Sequence, residues 1–267
     1  MNGHTAAFIS VRNKATRLPN KSLLKIHGRS TIEHLIDRVK RSQKADLIVM
    51  TTSISPEDDP LAEIAAANGI ACFRGSEADK LQRYLDAADA HDVDFFAVVD
   101  GDDLFADAIF IDQIIAAWQD TRADYIVVDR LPVGATAFGV RRKAMREIVA
   151  LKAENDTEVW GGYFTETGMF DCRFLVPSDS EFARPEIRMT LDYPEDFKFF
   201  TLVFDELYVS GEVFSFQAIM ILLRQRPEIA AVNRDVQHRY EARLRESAPV
   251  RLKPASARIG TGGQRGR

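Results

Sequence analysis

Phe95–Phe105 reads FFAVVDGDDLF. Five apolar residues run without interruption up to Asp100, and Asp102 and Asp103 follow at once. A short apolar run closed by turn residues reads as a strand buried on both faces. Such strands belong to parallel sheets covered by helices. Outward from this run the pattern repeats. Ala6–Val11, Asp46–Thr52, Ile70–Phe73 and Tyr125–Val128 read as further strands. Between them lie segments of helical period. Thr31–Arg41 places Ile32, Leu35, Ile36 and Val39 on one face, Leu61–Asn68 is closed by Gly69 as a C-cap, and Leu81–Ala90 and Phe110–Trp118 follow. This alternation predicts an α/β fold with a mostly parallel sheet and helices on both faces. Beyond Asp129 the pattern weakens. Trp160–Leu175 reads as extended segments with turns, Glu195–Tyr208 as a helix opened by Pro194, and Phe214–Arg226 as a helix followed by Pro227.

Composition narrows the class. The chain has 267 residues, 46% hydrophobic and 28% charged. That excludes a disordered chain, a collagen-like fibre and a small disulfide scaffold. No apolar run approaches the ~18 residues of a membrane helix. The start, MNGHTAAFISVRNK, lacks the pattern of a secretory signal. Cys72 and Cys172 alone suggest a reducing, cytoplasmic setting. Residues 247–267 carry five basic side chains and no acid, so a net charge of −5 leaves −10 on the body. A body that acidic is not a nucleic-acid binder. We expect one catalytic domain over residues 1–246 and a disordered basic tail over residues 247–267.

In parallel α/β sheets, ligands bind beyond the carboxyl ends of the strands. The first strand runs into VRNKATRLPNKSLLKI, with Arg12, Lys14, Arg17, Lys21 and Lys25 and no acid. The stretch also lacks glycine, so it is no Walker loop. Either it is a solvated basic loop, or Arg12, Arg17 and Lys21 neutralise a triphosphate with side chains. Asp100, Asp102 and Asp103 crowd the end of the fourth strand. Mg²⁺ held by one or two carboxylates plus phosphate oxygens relieves such crowding. The plain alternative is a polar turn with Asp103 or Asp107 capping the next helix. In RMTLDYPEDF, Glu195 and Asp196 suit the first turn of a helix. Asp192 is either a cap-region residue or a second carboxylate on the metal. In CFRGSEADKLQRYLDAA, Arg74, Gly75 and Ser76 sit at another strand end, and Gly75 permits close approach to a ligand. Arg83 either pairs with Asp79 or reaches into a nucleotide pocket. No histidine stands out as a base, and His27 and His34 read as packing or capping residues. Trp160, Tyr163, Phe164 and Phe170 read as an acceptor-pocket wall, a subunit interface or ordinary core.

Four segments in order resemble one family: Val11–Ser42, FRGSEADKLQRYLDAA, VVDGDDLF and RMTLDYPEDFKFF. The chain is similar, from Phe8 to Asn233, to the cytidylyltransferases that activate acidic sugars. These include the acylneuraminate and 3-deoxy-manno-octulosonate cytidylyltransferases, and especially the spore-coat polysaccharide type. The resemblance implies a Rossmann-like, GT-A-like nucleotidyltransferase sandwich. It implies a Mg²⁺-dependent cytoplasmic enzyme, commonly a homodimer, that transfers CMP from CTP to a sugar and releases pyrophosphate. It implies triphosphate contacts from Arg12, Arg17 and Lys21. Arg74, Gly75, Ser76 and Arg83 fall near base and ribose, with Asp100 also on the nucleotide. Asp102 becomes the first metal carboxylate and Asp192 the second.

Two departures stand out. Leu104 replaces the family's usual proline. The loop LPVGATAFGVRR has no carboxylate and supplies Arg141, Arg142 and Lys143 instead, so either acceptor binding is unusual or the acceptor carries a negative charge, as an acidic or phosphorylated sugar does. Two rivals remain. One is a glycosyltransferase using the DxD of Asp100 and Asp102 on a nucleotide-sugar, against which the basic loop counts. The other is a catalytically silent nucleotide-binding homologue, against which the retained aspartates count.

Overall fold

The first strand, β1 (Thr5–Ser10), is buried at all six positions. Strands β2 (Leu47–Ser53) and β4 (Phe95–Asp100) flank it in parallel, with Ser10 level with both Thr51 and Asp100. The structure, a computed structural model, describes residues 3–14, 17–157, 159–246 and 250–254. Strands β3 (Ala71–Gly75), β5 (Tyr125–Val128), β6 (Phe138–Arg141) and β7 (Cys172–Leu175) complete one sheet in the order β3-β2-β1-β4-β6-β5-β7. Only β6 runs antiparallel to its neighbours. The expected mostly parallel α/β sandwich is the architecture of the chain.

The helices divide between the two faces. Helices α1 (Thr31–Val39), α2 (Asp59–Ala67) and α4 (Ala108–Thr121) pack on one side, together with α7 (Pro194–Leu207) and α8 (Phe216–Gln225). Helices α3 (Lys80–Ala90), α5 (Arg142–Leu151) and the single turn α6 (Gly162–Thr165) cover the other. Helices α9 (Pro227–Ala231) and α10 (Arg234–Glu246) follow α8. Local chemistry sets their starts. Ser30 and Glu33 form a capping box at α1, Asp79 accepts the Gln82 amide at α3, and Asp107 accepts the Ile109 amide at α4.

Several expectations change. The segment read as extended over Trp160–Leu175 holds α6, because Trp160, Tyr163 and Phe164 recur at helical spacing and bury together against Tyr84 and Tyr125. These rings are core, not an acceptor wall or an interface. Strand β6 is absent from the sequence reading. Its four residues include Gly139, where a Cβ would meet Phe95 Cζ at 2.5 Å. A glycine that admits a close neighbour also removes the β signal. Leu104, at the family's proline position, is wholly buried in the core.

Of the segment expected to be a disordered tail, residues 250–254 dock against the end of α5. Ala153 donates to the Arg251 carbonyl at 2.9 Å and Lys253 to the Leu151 carbonyl at 2.8 Å. The remainder, residues 247–249 and 255–267, lies outside the described residues. Among the described residues no helix is long and apolar enough to cross a membrane.

Candidate active site

A cleft of about 880 Å³ opens at the carboxyl ends of β1 and β4. Its floor begins at a close approach. The Gly101 amide donates to the Ser10 carbonyl at 2.7 Å. A Cβ on Gly101 would lie 2.5 Å from Val11 Cβ, so only glycine lets the turn after β4 press against the turn after β1. That turn then carries Asp102 into the cleft.

The basic loop after β1 is pinned at its base by Asp58, which is 2% exposed. Asp58 accepts the Asn13 amide at 2.7 Å and the Ser53 hydroxyl at 2.5 Å. Ser22 in turn donates to the Asn13 side chain at 2.5 Å. With both ends fixed, the loop turns its cations inward. Lys21 Nζ lies 2.5 Å from Asp102 Oδ2 and 2.9 Å from Asp192 Oδ1. Arg17 also pairs with Asp192 and lies over the Tyr193 ring, 5.3 Å from its centroid. Residues 90 positions apart in sequence therefore face each other across one ammonium.

The electrostatics follow from burial. Asp102 is held above the usual carboxylate range because burial disfavours its charge, although Lys21 partly offsets this. Asp103 is pushed well above that range by burial and by neighbouring Asp102 and Asp100. Burial also opposes ionisation of Asp192, but Lys21 and Arg17 outweigh it and lower its pKa. For Lys21, Asp102 and Asp192 overcome burial and raise the ammonium's pKa.

The donor set suits a hard dication. Among the described residues, no three His, Cys, Asp or Glu side chains converge. Two carboxylates do, and Asp102 and Asp192 are already compensated there by a cation. Mg²⁺ is commonly bound by one or two carboxylates, with substrate phosphates and water completing its shell. The residues present fit that arrangement.

Arg12, Arg17, Lys21, Arg83, Asp100, Asp102 and Asp192 all line the cleft. Arg12 donates to the Glu77 carbonyl at 2.5 Å. Asp100 is paired with Lys80 at 2.7 Å, so the two acids of the DxD are held by different lysines. The loop after β3 departs from expectation. Arg74 turns away, donating to the Ser53 and Ser55 carbonyls at 2.9 and 2.7 Å and pairing with Asp59 at 2.7 Å. At Gly75 a Cβ would meet Phe73 Cε1 at 2.9 Å and Arg83 Cγ at 3.1 Å. The glycine admits a neighbouring side chain rather than a ligand. Ser76 accepts the Asp79 amide at 3.1 Å and does not line the cleft. Arg83, 1% exposed, does not pair with Asp79; it donates to the Ser76 carbonyl at 2.5 Å. Asp79 binds Lys152 instead.

The cations expected at the acceptor loop are also elsewhere. Because β6 is antiparallel, Arg141 sits beside Phe95 at the opposite end of the sheet. Arg141 pairs with Asp124 at 3.6 Å and Arg142 with Asp94 at 2.9 Å. The cleft is instead bordered by Gly134, Thr136 and Phe138 from the start of that loop and strand. His34 donates to the Ile26 carbonyl at 2.9 Å and His27 meets Asp205 at 2.9 Å, both on α1's side of the fold. Cys72 and Cys172 are free thiols whose pKa burial raises. Neither lines the cleft.

Residues 6–152 match the sequence profile of the family described as Cytidylyltransferase, more than half of the chain. The chain belongs to the cytidylyltransferase family. It is 27% identical over 246 residues to the uncharacterized protein MJ1063 of Methanocaldococcus jannaschii, covering 90% of this chain and 98% of that one. It is 26% identical over 230 residues to the spore coat polysaccharide biosynthesis protein SpsF of Bacillus subtilis, covering 84% and 95%. A cytidylyltransferase from Leptospira borgpetersenii shares the fold, with a TM-score of 0.77 at 22% identity over 85% of this chain and 97% of that one. A cytidylyltransferase moves CMP from CTP to an acceptor oxygen.

Sequence reasoning missed several residues that build this site. Lys80 is hidden at the first turn of α3 and is 7% exposed. Arg188 and Asp196 flank Asp192 at intervals of four, a spacing visible in the sequence. Asn233 carries no signal at all.

Proposed function

We propose that this cytidylyltransferase transfers CMP from CTP to an acidic or phosphorylated sugar, releasing pyrophosphate, with Mg²⁺ as the metal. The acceptor class rests on the resemblance to the acidic-sugar cytidylyltransferases and no longer on Arg141 and Arg142, which lie at the far end of the sheet. One observation carries the reading. Asp102 and Asp192 meet across Lys21 at the mouth of a loop that also contributes Arg12 and Arg17. The similarity to a spore-coat polysaccharide protein supports a role in cytoplasmic polysaccharide biosynthesis. Exposed Phe174 and Val176, beside the unpaired edge of β7, support assembly as a homodimer.

Nucleotidyl transfer is in-line displacement at phosphorus, in which positioning and charge neutralisation supply most of the acceleration. Asp102 and Asp192 would hold the metal, which neutralises phosphate charge when bound. Lys21 and Arg17 hand their positive charge to the triphosphate and then to departing pyrophosphate. Arg12 and Arg83 brace the Ser76 and Glu77 carbonyls, which fixes the wall where the nucleoside lies. Gly134, with φ +86°, lets its loop close over Asp103. The pairing of Asp100 with Lys80 and the family match favour this reading over a DxD glycosyltransferase.

The test is a pyrophosphate-release screen crossing CTP, ATP, GTP and UTP with sugar acids and sugar phosphates. Release specific to CTP and to one acidic or phosphorylated acceptor is expected. Turnover only with another nucleotide, or release of UDP from a UDP-sugar, overturns it.

A further inference from the structure

Asp192 does not hold its own position. It is 4% exposed, at the end of a short irregular segment that leads into α7. Four residues later, Asp196 is fully buried. Its Oδ2 accepts the backbone amides of Asp192 at 2.9 Å and Tyr193 at 3.0 Å. Its carboxylate also takes a two-pronged contact from Arg188, with Nε at 2.9 Å and Nη2 at 3.0 Å. The same Nη2 reaches Asp192 Oδ2 at 3.3 Å. Arg188 is thus the link between the two acids.

The bracket is closed from far along the chain. Asn233, 1% exposed and at the junction of α9 and α10, donates to Asp196 Oδ1 at 2.9 Å and to the Arg188 carbonyl at 3.2 Å. Gln237 of α10 accepts from Arg188 Nη1 at 3.1 Å. A buried ion pair is favourable only when its remaining hydrogen-bonding capacity is met. Here Asp196 gathers five donor contacts, two of them from the backbone that carries Asp192. An ordinary first-turn acid needs no such shell. One Asp196 oxygen fixes the peptide of Asp192, while Arg188 fixes its carboxylate.

We propose that Asp196, clamped by Arg188 and Asn233, is a positioning residue that aims Asp192 and so sets the affinity of the site for its divalent cation. Asn233 makes the C-terminal helices part of that setting. The inference rests on the reading of Asp192 as a metal-holding carboxylate, and it assigns Asn233 a role that contact with nucleotide would not give it.

The experiment titrates Mn²⁺ into the full-length protein with CTP bound, reading free Mn²⁺ by electron paramagnetic resonance. CTP affinity is measured separately in EDTA. Asn233→Ala is expected to weaken Mn²⁺ binding by about 10-fold, the usual scale for losing a residue that orients a metal ligand. Metal-free CTP affinity should stay near the native value, since Asn233 donates to Asp196 and the Arg188 carbonyl and not to Lys21 or Arg17. Asp196→Asn should weaken Mn²⁺ further. If it fails to fold, Asn233→Ala and Asn233→Ser carry the test, with serine retaining part of the affinity. Unchanged Mn²⁺ binding in Asn233→Ala, or an equal loss of CTP binding, overturns the proposal. Asp192→Asn separates the two levels. If that variant binds Mn²⁺ as the native protein does, the metal reading fails. If it loses Mn²⁺ while Asn233→Ala does not, only the positioning role fails.

Discussion

Lys21 Nζ stands 2.9 Å from Asp192 Oδ1 and also closes on Asp102. On the proposed reading, the ammonium and the metal compete for the same two carboxylates. An ammonium and a dication about 4 Å apart repel by roughly 8 kcal/mol at an effective dielectric near 20. Metal and nucleotide should then bind cooperatively, because the triphosphate draws Lys21 away as the cation enters. Lys21→Met is expected to bind Mn²⁺ at least ~10-fold more tightly without nucleotide, well within that repulsion. The same variant should bind CTP more weakly and CMP almost unchanged. Calorimetry with Mn²⁺, CTP and CMP in turn checks this, and equal losses for CTP and CMP would remove Lys21 from the β- and γ-phosphates.

On the proposed reading, Asp102 is a charge kept for the reaction rather than for stability. Burial keeps its carboxyl above the usual range. Asp102→Ala should reduce CTP-dependent pyrophosphate release by ~10²-fold or more. Its thermal midpoint should be no lower than the native one, since Lys21 keeps Asp192 as a partner. Calorimetric melting and a coupled pyrophosphate assay read both halves of this expectation.

Gly101→Ala tests the close approach beneath the site. The added methyl meets Val11 Cβ at 2.5 Å and the Ser10 carbonyl at 3.2 Å. Overpacking of this kind typically destabilises by about 1–3 kcal/mol. Activity should fall with it, because the same turn places Asp102. A variant with native stability in urea titration would show that the two turns separate easily.

His34 gives the stability a pH dependence distinct from that of the site. It is 5% exposed, donates to the Ile26 carbonyl and packs on Phe204 with ring centroids 4.3 Å apart. Burial lowers its pKa below the ordinary 6.5. The unfolded chain then binds a proton more readily than the folded one. This contribution is fully present above pH 6.5 and is lost as the pH falls toward the folded-state pKa. His34→Gln keeps a donor for Ile26 but does not titrate. Urea midpoints measured from pH 7.5 to 5 should fall for the native protein and slope less steeply for the variant.

Strand β4 and the aspartates after it were legible because a strand buried on both faces writes itself as a continuous apolar run. The basic loop was legible as a candidate because its five cations follow the carboxyl end of a strand, where ligands of parallel α/β sheets bind. Strand β6 was not, since its four residues include a glycine chosen for a neighbour rather than for the strand. Its direction carried the consequence. An antiparallel β6 sends Arg141 and Arg142 to the far end of the sheet, where a sequence reading had supplied them to the acceptor.

The sequence alone determined the class of fold, the alternation of strands and helices up to β5 and the chemical types at the strand ends there, because these depend on local period and residue chemistry. Tertiary structure alone decided which charges meet. That Lys21 spans Asp102 and Asp192, that Lys80 takes Asp100, and that Asn233 braces Asp196 are facts of distance between segments far apart in the chain. Coulomb energy and hydrogen bonding act over a few ångströms of space, and separation along the chain does not encode that distance.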